Sequence, residues 1–235
     1  MRYTQHLIPA LSTLPHLETP LTPSLRRAIE DIVTERIRAH AIASRGQHDF
    51  ALRAAGGRIV PALTTGCTSM FHWSCNGPSV AIDEDVRVGQ CWDIRALPAQ
   101  LGVVLPKIIQ PSHVTVEHLP KEINSDIGTA PRNMTLWGIV DGKANIALFE
   151  DLLRDDPGLE ALGRRRPHIA TDHRYAPLLS FTYDVDGEDA IQTFGISERF
   201  RTTQMSFAVF VLEVEDSWGG ASTCLYRVRI HGTVV

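Results

Sequence analysis

The stretch "GQCWDIRALPAQLGVVLPKIIQPSHVTVEHLPK", residues 89–121, decides the fold of this chain. It contains "LGVVLPKI" and "HVTVEHL", short runs in which β-branched residues alternate with others. Period two, with no 3.6-residue apolar repeat, reads as strand. The run closes on His118, between Glu117 and Leu119. A histidine there is open to three readings: a base, a metal ligand or a docking contact. A lone strand histidine is most often structural.

The same grammar extends outward. "GRIVPAL", "MTLWGIV", "LLSFTYDV", "AIQTFGI", "SFAVFVLEVED" and "CLYRVRIHGTVV" are further short runs of this kind, separated by Gly, Pro, Asn and Asp clusters. Asp186-Gly187 marks a hairpin turn. Eight such strands without alternating helices predict an all-β fold, a compact β-sandwich of jelly-roll type. One segment breaks the rhythm: 142–177 is charged, carries "IALFEDLLR" at helical spacing, and reads as an insertion between two strands.

Ahead of the strands lies "TPSLRRAIEDIVTERIRAHAIAS". Thr22 is a good N-cap and Pro23 suits the first helical position. Leu25, Ile29, Ile32, Val33 and Ile37 form an apolar stripe, so an amphipathic helix is predicted over 23–47. It packs on its own domain or ends a coiled coil. Residues 1–22 read as a flexible leader.

Net charge is −4 and charged residues make up 21%, which gives no electrostatic case for nucleic acid or anionic membrane. "GRRRPH" is a small basic cluster that reads as a solvated loop. No apolar run approaches the roughly 20 residues of a membrane span. The N-terminus is a poor signal peptide. Four cysteines, Cys67, Cys75, Cys91 and Cys224, include no CxxC pair. Cys67, His72 and Cys75 offer three zinc ligands without an evident fourth. Asp83, Glu84 and Asp85 do not have EF-hand spacing. No nucleophile elbow occurs and nothing flanking Cys91 or Cys224 suggests an activated thiolate. The residues alone point to a binding domain, not an enzyme.

"DFALRAAGGRIV" (49–60), "GQCW" (89–92), "VTVEHLPK" (114–121), "GTAPRNMTLWG" (128–138), "FTYDVDGEDAIQTF" (181–194) and "SWGGASTCLYRVRIHG" (217–232) follow in an order and spacing that resemble the SUN domain. The resemblance covers about residue 48 to the C-terminus apart from 142–177. It implies a β-sandwich on a helical stalk, a homotrimer in the full-length protein, and a place in the perinuclear lumen as a soluble fragment of an inner nuclear membrane protein. There such domains grip the C-terminal tail of a KASH protein and link nucleoskeleton to cytoskeleton.

Three sites follow from the resemblance. A cation loop over 80–91, through Val80, Asp83, Asp85 and Gln90 with Tyr226 opposite, holds K⁺ on backbone carbonyls. Cys91 and Cys224 match paired cysteines, and an oxidising lumen suits a bridge. His118, Thr129 and Tyr226 match the pocket for the tail's terminal carboxylate, to which an imidazole N–H and two hydroxyls can donate. The opening question is thereby answered in favour of a docking contact. Two departures stand out. Ser222 replaces a tyrosine that is frequent in the family. The lid between Gly57 and Val80 is short, with Met70, Phe71 and Trp73 as apolar contacts. Cys67 sits roughly where some members bond their partner; Cys75 is extra, and the two can pair with each other, with a partner or remain thiols. Two other classes compete: a carbohydrate- or glycoprotein-binding sandwich of the endoplasmic reticulum, since this fold hosts lectin-like modules, and a thiol enzyme.

Overall fold

A computed structural model describes residues 22–45, 48–66, 76–155, 158, 166–169, 172–187 and 189–235, the side chains of 35–45 excepted. The leader up to residue 21, the side chain of Ile37 and the lid residues Cys67, Met70, Phe71, Trp73 and Cys75 lie outside the described residues.

Helix α1 runs Pro23–Arg45. The Thr22 hydroxyl accepts the Leu25 N–H at 3.3 Å, which caps it. Leu25, Ile29, Ile32 and Val33 are exposed. Residues from Gln47 onward form a separate compact unit.

That unit is built around one strand. β3, Ala99–Glu117, joins the two predicted strands "LGVVLPKI" and "HVTVEHL" into a single 19-residue element. Pro106 and Pro111 lie within it, although proline cannot donate to a ladder. Instead the register shifts between Val104 and Ile109 against β7, and between Pro111 and His113 against β9. The irregularities let the two halves of β3 pair with different strands of one seven-stranded sheet. Its first half pairs with β1 (Arg58–Ile59) and β7 (Phe207–Val214). β4 (Asn133–Val140) pairs with β7, and β5 (Arg174–Thr182) with β4. Its second half pairs with β6 (Ile191–Gly195) and β9 (Arg227–Val234). Leu101, Val103 and Ile109 from one half, and Val114 and Val116 from the other, enter the same apolar core with Leu136, Phe210, Leu212, Val228 and Ile230. A Cβ at Gly138 would lie 2.6 Å from the Phe207 ring, so glycine there admits that ring against β4.

Three expectations need correction. Asp186-Gly187 does not close a hairpin, since β5 pairs with β4 and β6 with β3. The insertion does not extend to 177: helix α2, Lys143–Asp155, follows β4, but Arg174–Pro177 is already β5, in register with Val140–Trp137. Tyr175 and Ala176 are buried there, which the charged surroundings concealed. "GRIVPAL" yields only two strand residues before the 3-10 turn Pro61–Leu63. Unforeseen is a small second sheet of β2 (Trp92–Ile94) with β8 (Thr223–Leu225). The short helix α3, Glu198–Arg201, completes the elements used below.

A second apolar cluster, Leu63, Trp137, Ile139, Tyr175 and Val211, is separate from the main core. Beside it runs a polar row across four strands: Gln100, Glu213, Thr135 and Ser180 face one another in register. The fully buried Gln100 amide donates to the carbonyls of Leu63 (2.9 Å) and Ile169 (2.8 Å) and accepts the Ile169 N–H (2.7 Å). Glu213 accepts the His168 N–H at 2.8 Å and the Trp137 indole N–H at 3.1 Å.

Candidate functional site

The small sheet creates a corner where β3 ends. Trp92 opposes Leu225 and Asp93 opposes Cys224. This pairing brings Cys91 and Cys224 together as a disulfide, with Cα atoms 5.4 Å apart. Cys91, Leu119 and Tyr226 form a small apolar cluster against which Cys224 packs.

His118 is the first residue after β3, and its N–H donates to the Ala190 carbonyl at 2.9 Å. Its ring stands edge-on to Tyr226 at 5.0 Å and lies 6.0 Å from Tyr183. Nδ1 is 3.4 Å from the Leu119 carbonyl and 3.5 Å from the Asn124 amide nitrogen. Nε2 is buried without a hydrogen-bond partner. Leaving a buried polar group unsatisfied costs about 1–3 kcal/mol. Burial pushes the His118 imidazole below its usual pKa, with the Leu119 carbonyl pulling the other way. A neutral ring has two tautomers. When Nδ1 donates to Leu119, Nε2 is an acceptor; when Nδ1 accepts from Asn124, Nε2 carries the proton and is a donor. The Leu119 carbonyl favours the acceptor form and the Asn124 amide the donor form, a competition that no spacing in the sequence announced.

The other two expected pocket residues differ from each other. The Tyr226 hydroxyl accepts the Gly89 N–H at 3.3 Å and keeps its own proton to donate. The Thr129 hydroxyl already donates to the Asp126 carbonyl at 2.7 Å, so it can offer only acceptor capacity. Its turn, Ile127–Thr129, packs against β8 and is held by the Gly220 N–H on the Gly128 carbonyl at 2.8 Å. Tyr183 donates to the Ala190 carbonyl at 3.0 Å and is pushed up to about 12, by burial first and then by Asp184. His118 and Tyr226 are thus brought together, while Thr129 is near with its proton engaged.

The loop over 80–91 borders the same corner. Pro78–Ile82 is a 3-10 turn, and the Asp83 N–H returns to the Val80 carbonyl at 3.1 Å. Gly89 takes φ +82°, and its carbonyl accepts from the Asn76 side chain at 2.7 Å. The Gln90 N–H closes on Arg87 at 2.8 Å. Asp85 is held by the Arg87 guanidinium at 2.6 Å, which lowers its pKa, and Asp83 meets Arg53 at 3.4 Å. Both ion pairs lie at the surface, with Glu84 exposed between them. Among the described residues, no cluster of three or more His, Cys, Asp or Glu side chains could hold a metal.

Comparison with known proteins places this chain in a family. The family model described as "Sad1 / UNC-like C-terminal" matches residues 72–151 and 169–234. Human SUN domain-containing protein 1 is 28% identical over 221 residues, covering 87% of this chain and 24% of its own length. Klaroid protein of Drosophila melanogaster is 30% identical over 205 residues, covering 80% of this chain and 18% of its own. Nuclear migration and anchoring protein unc-84 of Caenorhabditis elegans is 24% identical over 231 residues, covering 88% and 17%. This chain spans about a quarter or less of these relatives. Among solved structures, allantoicase superposes with TM-score 0.52 at 12% identity, covering 83% of this chain and 50% of that one. A family 32 carbohydrate-binding module from Streptococcus pneumoniae EndoD gives 0.51 at 9%, covering 79% and 100%. Such low identity shows the sandwich fold alone. The chain belongs to the Sad1/UNC-like C-terminal family, the SUN domains.

Proposed function

We propose that this SUN domain is a luminal tether that binds the C-terminal tail of a KASH protein across the perinuclear space of the nuclear envelope. The observation that carries the reading is the buried, unpartnered Nε2 of His118, on a ring that stands edge-on to Tyr226. A terminal carboxylate is acceptor-only and satisfies both donors at once. His118 and Tyr226 are 6% and 5% exposed, so the Asn124 turn yields when the carboxylate enters. Thr129 adds less, because its proton is already used.

In this reading Val80, Asp83, Asp85 and Gln90 hold a K⁺ ion on their carbonyls, and Tyr226 fixes the loop through the Gly89 N–H. Neutral oxygens suit a weakly hydrated monovalent ion. The ion when bound supplies charge that orders the loop. The bridge from Cys91 to Cys224 ties that loop to β8. The stripe of α1 assembles the homotrimer.

The test is binding of a synthetic KASH tail peptide with a free or an amidated terminus. His118→Ala should weaken the free acid roughly ten- to a hundredfold and should affect the amide far less. Equal losses for the two peptides would withdraw the site assignment. Thr129→Ala should cost less than either His118→Ala or Tyr226→Phe.

A further inference from the structure

We infer that Arg227 couples the point where the chain enters the sandwich to the carboxylate pocket, making it and Asp49 positioning residues. This rests on the tail-binding reading above. Asp49 precedes the first residue that the family model matches. Its carboxylate accepts the N–H groups of Ala51 (2.9 Å) and Ile230 (3.3 Å) on one oxygen, and Arg227 (3.1 Å) on the other. The Phe50 N–H donates to the Ile230 carbonyl at 2.9 Å. His231 Nδ1 lies 3.1 Å from the His48 carbonyl, and its Nε2 is 2.9 Å from the Thr115 hydroxyl. Residues 48–51 are thus stitched to the middle of β9.

Arg227 carries that connection onward. Its Nε is 3.8 Å from Glu117, which also pairs with Arg229. Glu117 and Arg227 are partners in the β3–β9 register. The next residue beyond each is a pocket donor: His118 after Glu117, and Tyr226 before Arg227. Successive strand residues point to opposite sides. One residue pair therefore faces the entry point while its immediate neighbours face the pocket, on the same two backbones. A shift of Asp49 moves Arg227, and the register carries the shift to Tyr226 and His118. For a tether loaded at its stalk, this places the grip one residue along the chain from an ionic cluster that holds the entry point. The side chains of Arg227, Asp49, Glu117 and Arg229 are only 6–18% exposed, so the cluster has little water to relax into.

Coupling is reciprocal: if the entry clamp positions the pocket, filling the pocket tightens the clamp. In the unmutated chain, saturating free-acid KASH tail peptide should slow amide exchange at Phe50, Ala51 and Ile230 several-fold. The amidated peptide should do so much less. No change at these amides on binding of the free acid overturns the coupling. The second arm is Asp49→Asn with Arg227→Gln, which leaves no unpaired charge because Glu117 keeps Arg229. The preference for free acid over amide should fall several-fold in this variant. Faster exchange at residue 50 with an unchanged preference overturns the coupling and leaves the pocket standing. A preference near one in the unmutated chain overturns the tail-binding reading itself, and the coupling with it.

Discussion

The long strand β3 has a buried polar cluster at each end, and the two are built differently. At Gln100 a neutral amide grips main-chain groups of Leu63 and Ile169, and Glu213 beside it takes N–H donors from His168 and Trp137. At Glu117 a carboxylate meets the guanidinium groups of Arg229 and Arg227, and Arg227 reaches Asp49. The first cluster places chain segments through hydrogen bonds. The second joins strands distant in sequence through opposed charges. Net stabilisation by the two kinds is similar, but the penalty for breaking them is not. A stranded buried charge costs more than a stranded neutral group.

The largest effect is therefore expected at the charged end. Glu117→Ala leaves the Arg229 guanidinium uncompensated, with Arg227 still paired to Asp49, and should lower unfolding free energy by about 3–5 kcal/mol, measured by urea titration. A loss below about 1 kcal/mol would mean the cluster is hydrated like a surface pair, and the contrast between the ends would vanish. Gln100→Leu should cost less, about 1–3 kcal/mol, with faster amide exchange at Ile169. A cost above that of Glu117→Ala would reverse the ordering.

The smallest effect is a pH dependence confined to one end. His118, next to Glu117, and His231, on β9 opposite His113, are held below the usual 6.5 chiefly by burial. The unfolded chain then takes up protons first as pH falls, so stability is retained above about 6.5 and lost below it, toward the depressed native values. Exchange at pH 5.5 against pH 7.5 should show β9 and the end of β3 loosening before the Gln100 region. Loosening that begins around Gln100, or a gain in stability on acidification, would contradict this assignment.

What was legible in the sequence follows the range of the physics. Strand character showed in local alternation, and the apolar positions Val114 and Val116 are fully buried as that pattern requires. The helix in "IALFEDLLR" showed in its spacing, with Phe149 buried in the core. The continuity of β3 did not show, because Pro106 and Pro111 break the local signal and only the partner strands reveal that they sit at register shifts. β2 and β8 have three residues each, too few to make a pattern. In the site, His118 and Tyr226 were reached through motif resemblance. Asn124 and the bond that occupies Thr129 were not, since each depends on the rotamer of a turn. The Asp49–Arg227 pair spans 178 positions, beyond any local pattern.

The shared strand also sets a timetable for synthesis. β3 is complete at Glu117, yet β7 begins at Phe207 and β9 at Arg227. Until β6 is made at Ile191, on the order of ten seconds of translation at ordinary elongation rates, an apolar strand waits with only Arg58–Ile59, among the described residues, available to pair. The half of β3 that pairs with β7 can close once Val214 is made, and the half that pairs with β9 only after Val234, so the two halves of β3 find their partners in succession. Chaperone occupancy of 99–117 on nascent chains is the expected signature, ending when β9 is released.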